Sequence, residues 1–283
     1  MFVRPSPAAR PPSVHDAALV ALQCADVDAK CAATLALSEA WRDGRLVVAA
    51  GEDEACAIVE PGRPSRPELV APEQVPRRKP GCREGHGALL HAIAHIEFNA
   101  INLALDCVHR FCSQPAAFHD DWVRVAAEEA YHFGLVRARL RALGFDYGDF
   151  PAHNGLWEMA CKTAHDLLPR MALVPRVLEA RGLDATPPIM AKLRAIGDHD
   201  SVAVLEIILR DEIGHVAIGD RWFRAQCATR GLEPEATYQR LIDAFGAPRP
   251  HPPLHREARL AAGFSEAELA ALGAAGARRS GVG

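Results

Sequence analysis

Two short motifs in the chain pair a carboxylate with an imidazole. Glu129 and His132 form one Glu-x-x-His pair, and Glu212 and His215 form the other. Residues i and i+3 point the same way on an α-helix, so each pair presents both groups to one place. Carboxylate and imidazole ligands without thiolates suit iron or manganese. The motifs therefore predict a metal site built by two helices.

Each motif follows a helix that carries a lone glutamate on its apolar stripe. Glu97 precedes the first pair and Glu179 precedes the second, at nearly equal spacing. A charged side chain on a buried stripe is costly unless something pairs with it. The repeat predicts two helical hairpins whose ligands face inward to two metal ions. The predicted ligands are Glu97, Glu129, His132, Glu179, Glu212 and His215.

Charge balance supports this ligand set. Two divalent ions are neutralised by four carboxylates, and two neutral imidazoles complete the coordination, one for each metal. A metal-bound histidine usually donates its other N–H to a carboxylate. Asp211 is predicted to orient His132, and Glu128 either serves His215 or is solvated. Arg181 is a candidate partner for a ligand carboxylate.

An alternative is that these glutamates are ion-paired and the histidines packed, without any metal. Other polar residues near the motifs have simpler interpretations. His91 and His95 are off the stripe of the glutamate on their helix, which favours packing or rim roles. His165 and Asp166 are either structural or part of a substrate pocket. Tyr131 is turned away from the site by its position and is predicted to pack.

Composition is typical of a globular protein. The chain has 283 residues, of which 49% are hydrophobic and 24% charged, with a net charge of −4. This balance favours neither nucleic acid nor a membrane surface. We expect no membrane span and no signal sequence, because the proline-rich start lacks an apolar core. Eight scattered cysteines without Cys-x-x-Cys indicate reduced thiols in a cytoplasmic protein.

The spacing of apolar residues predicts an all-α protein, and proline and glycine residues mark the predicted ends of its helices. The predicted helices cover 14–44, 86–112, 120–143, 151–168, 170–182, 187–196 and about 198–230, with short pieces at 254–262 and 265–273. Proline-rich residues 45–85 predict an extended arm, and the last residues a frayed end. We expect three regions: an N-terminal helix and arm packed on the bundle (1–85), a bundle (86–232) and a C-terminal appendage (233–283).

The chain resembles a known family, the uncharacterised ferritin-like proteins of domain-of-unknown-function family 455. The resemblance rests on four strings: His91-Ala-Ile-Ala-His-Ile-Glu97, Glu128-Glu-Ala-Tyr-His132-Phe, Leu178-Glu179-Ala-Arg-Gly-Leu-Asp184 and Asp211-Glu-Ile-Gly-His215. The arm segment 61–67 and the tail segment 257–264 also look like family features. The resemblance implies a ferritin-like four-helix bundle with a long crossover and a di-metal carboxylate site. More distantly, the arrangement is similar to di-iron tRNA and quinone hydroxylases.

These features lead to three hypotheses of function. The first is an O2-dependent di-iron (or manganese/iron) oxidoreductase, a hydroxylase or oxidase of an unknown small-molecule or nucleoside substrate. It would need an electron-donor protein, since the chain has no flavin or dinucleotide fingerprint. The second is a ferroxidase or peroxide-scavenging protein. The third is a metal-free scaffold that binds a partner through the arm. The sequence leaves the oligomeric state open, with a homodimer among the alternatives.

Overall fold

The computed structural model describes residues 12–48, 58, 60–76, 81–250 and 252–280, with side chains up to residue 274. Within these ranges the chain forms eleven α-helices and no strand; only two isolated bridges join extended residues. The predicted all-α class is confirmed. The helices are α1 (Val14–Gln23), α2 (Val27–Arg42), α3 (Arg83–Arg110), α4 (Ala116–Ala142), α5 (Gly155–Lys162), α6 (Leu167–Leu173), α7 (Ala180–Ala195), α8 (His199–Thr229), α9 (Pro234–Ala244), α10 (Arg256–Ala261) and α11 (Glu266–Ser280).

The chain divides into two compact units. The first comprises Met1–Pro64 and Ile101–Ala130. It contains two N-terminal helices where the sequence predicts one over 14–44, so that prediction is wrong. The chain turns between them because Asp26 caps α2, accepting a hydrogen bond from the N–H of Ala29. The buried Lys30 ammonium donates to the carbonyls of Ala21 and Leu22 at the end of α1.

The second unit comprises Ser65–Ala100 and Tyr131–Gly283. Its long helix α8 packs against α6, α7 and α9, and this helix packing is that of a bundle. The boundaries of α3, α4 and α8 lie close to the predicted helices, since apolar periodicity and stop signals agree there. Gly144 and Gly197 end helices as predicted, in a left-handed conformation with φ of 82° and 80°. The three predicted regions stay a prediction.

Helix α3 is long and apolar enough to cross a membrane by length and composition alone. We expected from the sequence that no segment would be long and apolar enough for a membrane span. In length and composition that expectation is wrong for α3. However, 72% of its most apolar window is buried inside the protein. The core helix of a globular protein passes the same test, so α3 is weak support for a membrane span.

The segment after α6 departs from the prediction. Residues Val174–Glu179 form a π-helix that runs directly into α7. We predicted a stop at Gly182 and a new helix at Pro187, and both predictions are wrong, because α7 continues through them. Leu183 and Met190, on either side of the prolines, are both buried. Their packing overrides the local helix-breaking preference.

The structure agrees with the prediction for the arm, where it describes the arm, better than with the prediction for the tail. Within 60–76 the only helical turn is a 3₁₀ turn at Pro72–Gln74, as an extended arm predicts. The rest of the predicted arm at 49–57, 59 and 77–80 lies outside the described residues, as does the proline-rich start up to residue 11. In the tail, α9 was missed, and α11 extends to Ser280 where a frayed end was predicted. The last two predicted pieces correspond to α10 and α11.

Candidate metal centre

Helices α3 and α4 bury three of the predicted ligands. Glu97 is 3% exposed, and Glu129 and His132 are 0% exposed. The Glu-x-x-His spacing places Glu129 one turn before His132 on α4, facing the same way. Burying ionisable groups this completely demands compensation by opposite charge or hydrogen bonds.

His132 lies between two carboxylates. Its Nδ1 is 3.5 Å from Oε2 of Glu97, and its Nε2 is 3.1 Å from Oδ2 of Asp211. The Asp211 contact has the geometry of a hydrogen bond in which the ring N–H donates. It fixes the ring and turns Nδ1 toward Glu97. This is the pairing that the sequence predicts for Asp211, although its role beside a metal stays a prediction.

Four of the six predicted ligands come together. Glu97, Glu129, His132 and Glu212 each offer one ligand atom, and these atoms all lie within 4.8 Å of one another. We call these four residues the carboxylate cluster. Its donor set is three carboxylates and one imidazole without thiolate, which fits a hard or borderline cation such as iron or manganese. The cluster is therefore a group that can hold a metal ion.

The other two predicted ligands lie outside that group. The His215 ring is buried beside the cluster, 5.8 Å from the His132 ring between centroids, and its Nδ1 is 3.6 Å from Oε1 of Glu212. Glu179 is the last residue of the π-helix and is half-buried. Their assignment as ligands of a second ion stays a prediction.

The predicted outer residues have different surroundings. Arg210 donates two hydrogen bonds to Asp211, at 2.8 and 3.0 Å. Burial alone would raise the pKa of Asp211, but hydrogen bonds from Arg210 and His132 hold it below its usual value. Glu128 lies 3.7 Å from the exposed Arg124, one turn earlier on α4. Arg181 is exposed on α7. The roles given to Glu128 and Arg181 stay predictions.

Polar residues beside the motifs mostly have structural contacts. Nε2 of His91 accepts a hydrogen bond from the N–H of Gly148 at 2.9 Å, and burial lowers the pKa of His91 to about 4. Nδ1 of His95 lies 2.9 Å from the hydroxyl of Tyr147. These contacts agree with the packing roles predicted for the two histidines. Asp166 caps α6, whereas Tyr131 is 52% exposed and does not pack as predicted.

Sequence reasoning missed a second set of buried charges next to the π-helix. Arg176 is 0% exposed and lies 2.9 Å from Asp220 and 2.6 Å from Glu268. Arg224 also contacts both acids, at 2.8 and 3.1 Å. We call Arg176, Asp220, Arg224 and Glu268 the arginine cluster. The available signal was an arginine inside the apolar run Leu173-Val-Pro-Arg-Val-Leu178.

These observations define a class of protein: an all-helical chain with a buried, carboxylate-rich group able to hold a metal. Comparison with known proteins gives the family. The chain belongs to the family described as "Protein of unknown function (DUF455)", whose family model matches residues 23–270. It is 51% identical over 213 residues to an "Uncharacterized protein" of Haemophilus influenzae, covering 73% of this chain and 74% of that protein. No solved structure matches the chain.

Proposed function

We propose that this protein is a ferritin-like di-iron (or manganese/iron) carboxylate protein that acts as an O2-dependent oxidoreductase, a hydroxylase or oxidase. The observation that carries the proposal is the convergence of Glu97, Glu129, His132 and Glu212 within 4.8 Å in a buried place. Three acids gathered this closely favour a bound cation, because like charges in low dielectric repel one another. Glu179 and His215 would complete the ligands of a second ion.

Each residue has a separate task in this proposal. Glu97, Glu129 and Glu212 would hold the ions, and Asp211 would keep the His132 ring oriented with Nδ1 toward them. The bound ions would supply the redox chemistry with O2 that the side chains themselves lack. The protein would supply geometry and exclude water, as the 0% exposure of Glu129, His132 and His215 indicates. Electrons would come from a separate donor protein, and the substrate would be a small molecule or nucleoside.

Metal content per chain tests the site. We expect close to two iron or manganese ions per wild-type chain by elemental analysis after growth with both metals available. Glu212→Ala should bind at least one ion fewer and keep its helix content by circular dichroism. Glu206→Ala is the matched control, since Glu206 lies on the same helix but forms an exposed pair with Arg194 at 2.7 Å.

Two results would overturn the proposal or change its class. A Glu212→Ala variant that still holds two ions would show that the ligand assignment is wrong. A wild-type chain that takes up no iron or manganese would leave a metal-free binding protein. For a loaded protein, single-turnover O2 uptake with and without candidate substrates separates the oxidoreductase from a ferroxidase or peroxide scavenger, which would react equally in both conditions.

A further inference from the structure

The π-helix Val174–Glu179 ends on Glu179, the predicted ligand that lies outside the carboxylate cluster. π-Helical turns are rare, and they occur mostly as single turns at functional sites. The first four residues of this one are buried. An unusual turn that is buried at its start is held by contacts from other elements, and those contacts decide where the backbone of Glu179 lies.

One such contact comes from α8. A Cβ atom on Gly219 would collide with the Pro175 ring, so the backbone of α8 lies directly against the start of the π-helix. Gly219 lies one turn after His215, and the two residues therefore share a face of α8. The π-helix thus packs on the face of α8 that carries the second Glu-x-x-His motif.

Tyr238, on α9, contacts both the backbone and the side chain of Arg176. Its hydroxyl donates a hydrogen bond of 2.9 Å to the Arg176 carbonyl, and the Arg176 guanidinium lies 4.2 Å from the centre of its ring. Burial raises the pKa of Tyr238 to about 12, so the phenol keeps its proton and remains a donor at neutral pH. Tyr238 therefore fixes the backbone of the π-helix shortly before Glu179.

Arg259, on α10, contacts the chain just after Glu179. Its Nη2 donates to the carbonyl of Ala180 at 3.2 Å and to Oδ2 of Asp184 at 2.7 Å. Its Nε also donates to Asp184, at 3.0 Å. The two-point contact with one carboxylate orients the guanidinium, which then holds the carbonyl of the residue next to Glu179. Arg259 is 1% exposed, so water does not compete for these bonds.

We propose that Tyr238 and Arg259 are positioning residues, which fix the backbone on both sides of Glu179 and so hold its carboxylate in place for the second metal ion. Both come from the C-terminal helices, so that part of the chain takes part in building the candidate centre. The metal-binding part of this inference rests on the proposed function. The fixing of the backbone is a property of the metal-free chain and is tested without metal.

Hydrogen exchange of the full-length, metal-free protein, read by mass spectrometry of its peptides, tests the fixing of the backbone. Tyr238→Phe removes one hydroxyl and leaves the ring. Amides in peptides that cover 174–182 should exchange about three- to tenfold faster, because the π-helix loses one hydrogen bond that holds it. Peptides from α3 should exchange as in wild type.

Tyr147→Phe is the matched control. The hydroxyl of Tyr147 also makes a bond of 2.9 Å, but its partner is Nδ1 of His95 on α3. This variant therefore loses one phenolic hydrogen bond as well, and exchange at 174–182 should stay as in wild type. An equal increase there would show a general loosening of the protein and would overturn the inference.

Arg259→Lys tests the other side of Glu179. The lysine keeps a cation beside Asp184, but a single ammonium does not reproduce the fork that also reaches the carbonyl of Ala180. Exchange in peptides that cover 180–184 should rise about three- to tenfold for the same reason as in the tyrosine variant.

Arg249→Lys is the control for this second variant. Arg249 lies in the same C-terminal region, but its guanidinium bonds to Gln239 and Asp243. Its replacement should leave exchange around the π-helix unchanged. Unchanged exchange in both Tyr238→Phe and Arg259→Lys would overturn the inference.

Manganese titration by calorimetry tests the positioning of the ligand. Tyr238→Phe and Arg259→Lys should each weaken the second ion about tenfold or more and leave the first as in wild type, because residues that orient a ligand act on its metal affinity. Glu179→Ala should cause the same selective loss, and adding Tyr238→Phe to it should change the remaining affinity no further. Equal weakening of both ions, or a further loss in the double variant, would contradict a positioning role.

The outcomes separate this inference from the proposed function. If wild type takes up no metal while exchange at 174–182 rises in Tyr238→Phe, the proposed function fails and the fixing of the backbone stands. If two ions bind but neither exchange nor the second ion responds to Tyr238→Phe, the inference alone fails. Faster exchange with unchanged affinity for the second ion would leave Tyr238 a structural residue and overturn its positioning role.

Discussion

Two groups of buried charges in this protein are compensated in different ways. The arginine cluster contains two guanidinium groups and two carboxylates, so its charges cancel within the protein. The Arg176 guanidinium is also stacked against the rings of Phe223, Tyr238 and Phe264, at 4.2 to 4.8 Å. Such a group is complete without any ligand.

The carboxylate cluster has no such balance among its members. Three carboxylates and one imidazole leave a net negative charge unless protons or a cation neutralise it. Buried charge by itself therefore does not indicate a metal site, because the arginine cluster balances its charges with its own side chains. The same contrast predicts opposite responses to mutation, metal and pH in the two clusters.

The largest expected effect is in the arginine cluster. Arg176→Met removes the fully buried cation that faces two acids and should lower the free energy of unfolding by about 3–5 kcal/mol, because Asp220 and Glu268 then share only Arg224, whose side chain is 35% exposed. Urea denaturation of both proteins measures this change in the free energy of unfolding. Arg194→Met, at an exposed pair, is the control and should cost less than about 1 kcal/mol. Similar losses for the two variants would remove the contrast between buried and exposed pairs.

The next largest expected effect is the gain in stability when a metal ion binds to the carboxylate cluster. At a free Mn²⁺ concentration of about 100 times the dissociation constant, wild type should gain roughly 3 kcal/mol of unfolding free energy, because the ion binds only the folded chain. Manganese avoids reaction with O2 during the measurement. Glu212→Ala should gain much less, while Glu206→Ala should match wild type. A gain that survives in Glu212→Ala would place the bound ion elsewhere.

Replacing an acid by its amide should change stability in opposite directions in the two clusters. Glu129→Gln should raise the unfolding free energy of metal-free protein by about 1 kcal/mol, since it removes repulsion among buried acids. Glu268→Gln should lower it by about 1–3 kcal/mol, since Arg176 loses a charged acceptor. Thermal unfolding after exhaustive chelation compares the two. The contrast fails if both variants are stabilised or both destabilised.

The smallest effect concerns pH and Glu268. Burial alone would raise the pKa of Glu268, but Arg176 lowers it below its usual 4.5 through charge and a hydrogen bond. Because the folded pKa is lower, the unfolded chain binds the proton more readily. The contribution of Glu268 to stability is therefore complete above about pH 4.5 and lost as pH falls through its folded value. Glu268→Gln should flatten the stability curve in that window, and an unchanged slope would contradict it.

Local pattern predicted much of the fold and part of the site. The helices around Glu97, His132 and Glu212 follow from apolar spacing and end signals that lie within a few residues of one another. The prediction failed where distant packing outweighed local preference, as at Pro187 within α7 and in the single helix predicted across Asp26. Arg176 was missed because its partners Asp220 and Glu268 are far away in sequence. No local rule connects them.

The sequence by itself determined the all-α class and the two Glu-x-x-His motifs, because helical periodicity alone puts Glu and His of each motif on one face. The tertiary structure decided which groups meet. It brought Glu97, Glu129, His132 and Glu212 together and kept Glu179 and His215 outside that group. It also formed the π-helix before α7. These outcomes depend on contacts between helices far apart in the chain, which spacing along one helix does not encode.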